Sequence, residues 1–291
     1  MRILLLGNTG QLGWELERTL APLGELFAVD YPEINLADEK GIQEILRTYK
    51  PQVIVNATAY TAVDRAEGER ELAMAINRDG TGMLAEQALR LGAVLIHYST
   101  DYVFDGTKGV PYIESDAPHP LNVYGESKLA GEKAVEQVGG SYLILRTSWV
   151  YSLRRDSFVT KVLAWGRQER QLRLVSDQVG NPTWCRMLAE VSGQLLAAAG
   201  KDIYLWVAAR KGIYHLAGEG YASRFEWGKA ILENDPKREE QVVESVIPAL
   251  TAEFPSPAQR PLFSALNCER FYHTFGMRLP SWQTALRLAL K

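Results

Sequence analysis

An α/β fold, a doubly wound parallel sheet of the Rossmann-like kind followed by a smaller C-terminal lobe, is what three features of this sequence predict. Short apolar runs alternate with longer amphipathic segments through the first half, as parallel strands joined by crossover helices do. A glycine-rich turn separates the first run from the first amphipathic segment. The alternation then weakens after Arg146, which places a sheet-forming domain in residues 1–150 and the smaller lobe mainly in 151–291.

Taken in order, the apolar runs predict strands at Arg2–Leu6, Leu26–Val29, Val53–Asn56, Val94–Tyr98 and Tyr142–Arg146. Helical periodicity predicts Gln11–Ala21, Glu39–Tyr49, Leu72–Leu91 and Tyr124–Gln137 between them. Lys211–Gly220 (KGIYHLAGEG) reads as a further short strand near 211–217 that returns to the sheet. Helices at Arg224–Glu233 and Trp282–Leu290 belong to the lobe. The proline-rich stretch Ala249–Pro261 (ALTAEFPSPAQRP) reads as an irregular covering segment. Sheets of this type bind ligands beyond the carboxyl ends of their strands, so the residues just after each run are the candidates for function.

Composition excludes several classes. Hydrophobic residues make up 46% and charged residues 23%, ordinary for a chain that buries a core. Lysine and arginine total 32 against 35 acids, a formal charge of −3, so there is no broad cationic field for nucleic acid or an anionic membrane. Cys185 and Cys268 stand far apart without a CxxC partner or histidine cluster, so neither a disulfide framework nor a metal site is predicted. No apolar run is long enough for a signal-peptide core or a membrane span, and a reducing cytoplasm is the expected address.

Directly after the first strand comes Gly7-Asn-Thr-Gly10-Gln11-Leu12-Gly13, and a helix follows. Glycines there let backbone N–H groups and a helix N-terminus approach a pyrophosphate that side chains would keep away. The spacing is GxxGxxG rather than GxGxxG, so the position at the first strand–helix junction carries the inference. Asp30 ends the second strand, where an acid commonly accepts hydrogen bonds from an adenosine ribose. No Lys or Arg lies between Tyr31 and Ala37 to meet a 2′-phosphate, which is compatible with NADH. Ala57, Ala59 and Tyr60 close the third strand in a stretch of mostly small residues suited to a flat cofactor.

Tyr124 and Lys128 are four apart, so a helix puts them on one face, where the ammonium is expected to lower the phenol pKa. With 13 tyrosines and 11 lysines, about 0.5 such pairs arise by chance, so context decides. Ser99-Thr100-Asp101 supplies it, following the fourth strand at the ligand-binding edge, where the Thr100 hydroxyl can reach a reacting carbonyl. The four histidines, His97, His119, His215 and His273, are dispersed and receive no chemical role.

Gly7–Gly13, STDYVFDG at Ser99–Gly106 and YGESKLAGE at Tyr124–Glu132 resemble the extended short-chain dehydrogenase/reductase superfamily. Within it, NATAYTAVDRAE at Asn56–Glu67, RTSWVY at Arg146–Tyr151 and DQVGNPT at Asp177–Thr183 resemble the dTDP-4-dehydrorhamnose reductase family. The resemblance implies an NAD(P)H-dependent oxidoreductase. NADPH or NADH would deliver hydride to C4 of dTDP-4-dehydro-β-L-rhamnose, a dTDP-linked 4-keto-6-deoxy sugar, giving dTDP-β-L-rhamnose as the last step of dTDP-L-rhamnose synthesis. It implies a triad of Thr100, Tyr124 and Lys128, with Lys128 also holding the nicotinamide ribose, and substrate contacts at Tyr102, Trp149 and Arg260, the last toward the diphosphate. Some relatives use Mg²⁺ at a dimer interface; no ligand set is transferred here, and Mg²⁺ and a homodimer stand as open options.

Two departures bear on the cleft. Ser152-Leu-Arg-Arg-Asp156 replaces the usual small Gly-rich loop, and Phe263-Ser264 stands where the family has Asn-Ser. A nucleotide-sugar 4,6-dehydratase or epimerase on the same fold is the first rival. Dehydratases typically carry Thr-Asp-Glu, whereas this chain reads Thr100-Asp101-Tyr102, which argues against elimination. A non-catalytic subunit resembling the β subunit of methionine adenosyltransferase is the second, and the intact Thr, Tyr and Lys set speaks against it.

Overall fold

A computed structural model describes residues 1–291. Five strands fall where the apolar runs predict them, with ends moved by up to two residues: β1 (Arg2–Leu6), β2 (Glu25–Val29), β3 (Val53–Asn56), β4 (Val94–Thr100) and β5 (Ser141–Thr147). Gly212–His215 pairs parallel to β5 and completes a six-stranded sheet. From that strand the order runs β5, β4, β3, β1, β2, and every pairing is parallel. The chain reverses direction across the sheet between β1 and β3, and the glycine turn after β1 and the Ala57–Tyr60 stretch after β3 flank that crevice.

Both faces of the sheet are covered, which is why its central strands are apolar on both sides rather than alternating. On one face Leu4, Leu6, Ile54, Leu95 and Ile144 pack under the helices Glu39–Tyr49, Thr81–Leu91 and Val123–Val138. On the other, Ile3, Leu5, Val55, Ile96 and Leu145 pack with Leu16 and Leu20 and with Leu188, Leu195, Ile203 and Val207. The helices Cys185–Ala198 and Ile203–Ala208 therefore lie on the sheet although they come from beyond residue 150.

The lobe has its own core, in which Tyr151, Val162, Leu174, Trp227, Ile231 and Trp282 meet. The helix Phe158–Gly166 and the parallel pair Gln171–Val175 with Ser245–Ala249 build it, elements beyond those the sequence pattern predicts. The stretch after Ala249 carries only a 3₁₀ turn, Thr251–Glu253, before its prolines.

The expected Leu72–Leu91 helix is instead Arg70–Met74, a π-helical turn Ala75–Gly80, and Thr81–Leu91. Asn77 gives the physical reason. Its buried side chain accepts from the Tyr60 N–H at 2.9 Å and donates to the Tyr60 carbonyl at 3.1 Å and to Ser127 Oγ at 2.9 Å. The wide turn presents this amide to the loop after β3, and π-turns of this kind are frequent at functional sites.

Candidate active site

The largest cleft, ≈ 810 Å³, opens at the carboxyl edge of the sheet. Its floor is the phosphate turn, where Gly7, Gly10, Gln11 and Leu12 line it. The helix that starts at Gln11 has no side-chain cap, so its first amides are free to receive an anion. Gln11 Oε1 is buried without a hydrogen-bond partner, a polar atom that a ligand can satisfy. Gly13 stands behind the turn: a Cβ there would lie 1.9 Å from the Gly7 carbonyl oxygen, so only glycine lets the helix approach this closely.

Asp30 lines the same cleft, its carboxylate accepting from the Thr9 N–H at 3.1 Å and the Thr9 hydroxyl at 2.5 Å. Ala57 and Ala59 form the opposite wall. Tyr60, expected there, is not part of the wall: its hydroxyl donates to Glu69 at 2.6 Å and its backbone is held by Asn77.

Thr100, Tyr124 and Lys128 come together in this cleft. Thr100 ends β4, and Tyr124 and Lys128 share one face of the helix Val123–Val138, which Asn122 caps by accepting from the Gly125 N–H at 2.8 Å. The Thr100 hydroxyl accepts from the Tyr102 N–H at 3.1 Å. The Tyr102 ring meets Tyr124 edge-on at 5.8 Å between centroids.

The electrostatics differ from the sequence expectation. Burial pushes the Tyr124 phenol up, opposed by the Thr100 hydroxyl, so Lys128 does not acidify it. The Lys128 amine is occupied elsewhere, 2.7 Å from the Tyr98 carbonyl and 3.1 Å from His97 Nε2. Burial pulls it down to about 8, with the Glu132 carboxylate working against that fall. His97, given no role by its sequence context, is buried between Lys128 and Asn56, whose amide stands 3.1 Å from Nδ1. Only the pairing of β4 with β3 creates that contact.

Asp101 is buried beside the triad and holds three hydroxyls: Ser264 at 2.5 Å, Ser148 at 3.0 Å and Thr100 at 3.2 Å. Burial still raises it to about 6 against those hydrogen bonds. Below the triad, Glu132 accepts a bidentate pair from Arg146 at 2.9 and 2.7 Å and a hydrogen bond from Ser99, all of it buried.

Trp149 lines the cleft with its backbone at φ +44°, a left-handed conformation that is costly for a large residue. Gly180 makes room for its indole, since a Cβ there would come within 2.6 Å of the ring. Arg155 and Asp156, from the loop that departs from the family pattern, form part of the rim. Arg260 lies outside the cleft and is already paired, donating to both oxygens of Asp64 at 3.0 and 2.7 Å. No group of three or more His, Cys, Asp or Glu converges to hold a metal ion.

The family model described as "RmlD substrate binding domain" matches residues 1–291. The dTDP-4-dehydrorhamnose reductase of Burkholderia thailandensis is 40% identical over 294 residues, covering 100% of this chain and 98% of its own length. A crystal structure of such a reductase from Clostridium acetobutylicum is 32% identical and superposes with a TM-score of 0.91, covering 100% of this chain and 98% of that one. Another, from Bacillus anthracis and in complex with NADP, is 32% identical with a TM-score of 0.88 over 99% and 97%.

Proposed function

Because the chain belongs to the RmlD substrate binding domain family, we propose that it reduces the C4 ketone of dTDP-4-dehydro-β-L-rhamnose to dTDP-β-L-rhamnose, the last step of dTDP-L-rhamnose synthesis. It is an NAD(P)H-dependent oxidoreductase. The observation that carries the residue assignments is the meeting of Thr100, Tyr124 and Lys128 with the uncapped glycine turn in one cleft.

The cofactor, when bound, supplies the hydride that C4 accepts. The turn at Gly7–Leu12 would hold its pyrophosphate, Asp30 its adenosine ribose and Lys128 the ribose next to the nicotinamide. Ala57 and Ala59 leave the wall flat.

Hydride arrival makes the ketone oxygen an alkoxide, so donors aimed at that atom act most strongly in the transition state. Tyr124 is the proton donor. Burial keeps its phenol protonated at neutral pH, which is the state a donor needs. Lys128 holds its charge beside the nicotinamide ribose, and Thr100 hydrogen-bonds the carbonyl oxygen. Trp149 packs against the deoxysugar, and Tyr102 meets the Tyr124 ring edge-on. The sheet half holds the cofactor, and the lobe built around Trp227 holds the nucleotide end of the substrate. No helix is long and apolar enough to cross a membrane, and we place the enzyme in the cytoplasm.

The test is to follow dihydronicotinamide absorbance with NADPH and NADH in the presence of several keto compounds. Oxidation only with dTDP-linked 4-keto-6-deoxy sugars is expected. No oxidation with that substrate, or equal oxidation with simple ketones, would overturn the assignment.

A further inference from the structure

A second cavity, ≈ 430 Å³, lies in the lobe and is lined by Arg173, Arg224 and Arg260 together with Phe158, Phe254 and Thr251. Two of the three arginines are neutralised within the fold. Arg173 pairs with Glu253, and Arg260 pairs with Asp64. Arg224 has no such partner: no carboxylate lies within salt-bridge distance, and no hydrogen bond satisfies its guanidinium. It is held instead by aromatic faces, with its guanidinium carbon 3.6 Å from the Trp149 ring centroid, 4.9 Å from Phe158 and 5.5 Å from Trp227. Three cations less two carboxylates leave one uncompensated charge, and it sits on this residue.

Its position matters as much as its charge. Trp149 lines the catalytic cleft, and Arg224, stacked on it, lines the lobe cavity, so the guanidinium stands at the junction of the two. We propose that Arg224 is the specificity-determining anchor for the diphosphate of the nucleotide sugar, in place of the Arg260 that sequence reasoning assigns. The inference rests on the reductase reading above and deepens it.

A guanidinium presents five N–H donors in a planar fork, matched to phosphate oxygens. Stacking on Trp149 fixes that plane before any ligand arrives, which lowers the ordering cost of binding. Burial pulls Arg224 down to about 10, while Tyr102 and Asp101 favour its charge and Arg260 opposes it, so it remains a cation at neutral pH. A dianionic diphosphate between Arg224 and Arg260 would satisfy the first and relieve the repulsion between them. The deoxysugar then reaches Tyr124 on the Trp149 side, and the nucleoside extends into the aromatic cavity.

The experiment is calorimetric titration of thymidine diphosphate and of thymidine into wild type, Arg224→Gln, Arg224→Lys and Arg260→Gln. NADPH affinity and the melting temperature serve as controls for the fold. Arg224→Gln is expected to weaken thymidine diphosphate about thirty-fold, the scale of a lost charge-assisted bidentate contact, and to leave thymidine within about two-fold. Arg224→Lys, which keeps the charge without the fork, should fall between, and Arg260→Gln should lose less than Arg224→Gln. Equal affinity for thymidine diphosphate in wild type and Arg224→Gln would overturn the inference, as would equal losses for thymidine and its diphosphate. If wild type reduces the keto-sugar nucleotide while Arg224→Gln is unaffected, only the anchor fails. If wild type neither binds the diphosphate nor reduces the sugar, the reductase reading fails with it.

Discussion

The catalytic cleft and the lobe cavity are built by different means. At the sheet edge the walls are backbone amides, alanines and the carboxylates of Asp30, Asp101 and Asp156, and the Glu132–Arg146 ion pair is buried in the core. In the lobe the walls are arginines and aromatic rings gathered from four separate stretches of chain. The first is part of the folding core, so its shape is set by the same packing that holds the sheet together. The second rests on a separate core, and its arginines, unlike Leu174 and Phe158 beside them, are not members of that core. Damage at the sheet edge is thus expected to cost stability as well as chemistry, and damage in the lobe to cost ligand affinity alone.

Removing the charge beneath the triad gives the largest effect on stability. Glu132→Gln leaves the Arg146 guanidinium buried without its counter-ion and should cost about 3–5 kcal/mol in chemical denaturation. A loss under about 1 kcal/mol would mean that this floor is not part of the core and would break the comparison. Gly13→Ala comes next. Its methyl would meet the Gly7 backbone, and overpacking of that kind costs about 1–3 kcal/mol. Because the displaced atoms are the phosphate turn itself, NADPH affinity should fall about ten-fold or more by titration.

A pH profile sharpens the same contrast. The Lys128 ammonium, pulled down to about 8 by burial, is fully present well below that pH and is lost as pH rises through it, whereas burial moves Tyr124 upward and keeps it protonated. Turnover should accordingly fall about ten-fold per unit above that point, and a flat profile to pH 10 would remove Lys128 as the controlling group. The smallest effect belongs to the ion pair that joins the sheet half to the lobe. Asp64→Asn breaks a partly exposed ion pair and should change stability by less than about 1 kcal/mol.

What the sequence made legible follows the same division. Gly7–Gly13, Thr100 and the Tyr124–Lys128 pair are short patterns whose spacing already implies a shared face or turn, and the fold brings them together as the periodicity predicts. The partners that tune them were hidden. His97 meets Lys128 only through sheet and helix packing, and Asn77 reaches Tyr60 only because a π-turn interrupts a helix that periodicity reads as continuous. Lys128 was expected to acidify Tyr124, an inference from helix geometry alone that left out desolvation of both groups. In the lobe no local pattern marks Arg224. Its role depends on Asp64 and Glu253 claiming the other two arginines, and both pairings span most of the chain or large parts of it. The seat of the Trp149 indole is likewise a tertiary outcome, made possible by Gly180 some thirty residues away.

The central claim is that the phenol of Tyr124 delivers the proton to C4 oxygen, and single-turnover kinetics of Tyr124→Phe with a saturating dTDP-linked keto sugar test it most directly. The account predicts that the reduction rate falls about 10²–10⁴-fold, the range of a lost general acid, while NADPH affinity and the melting temperature stay at wild-type values. A variant that reduces the sugar at the wild-type rate would contradict it.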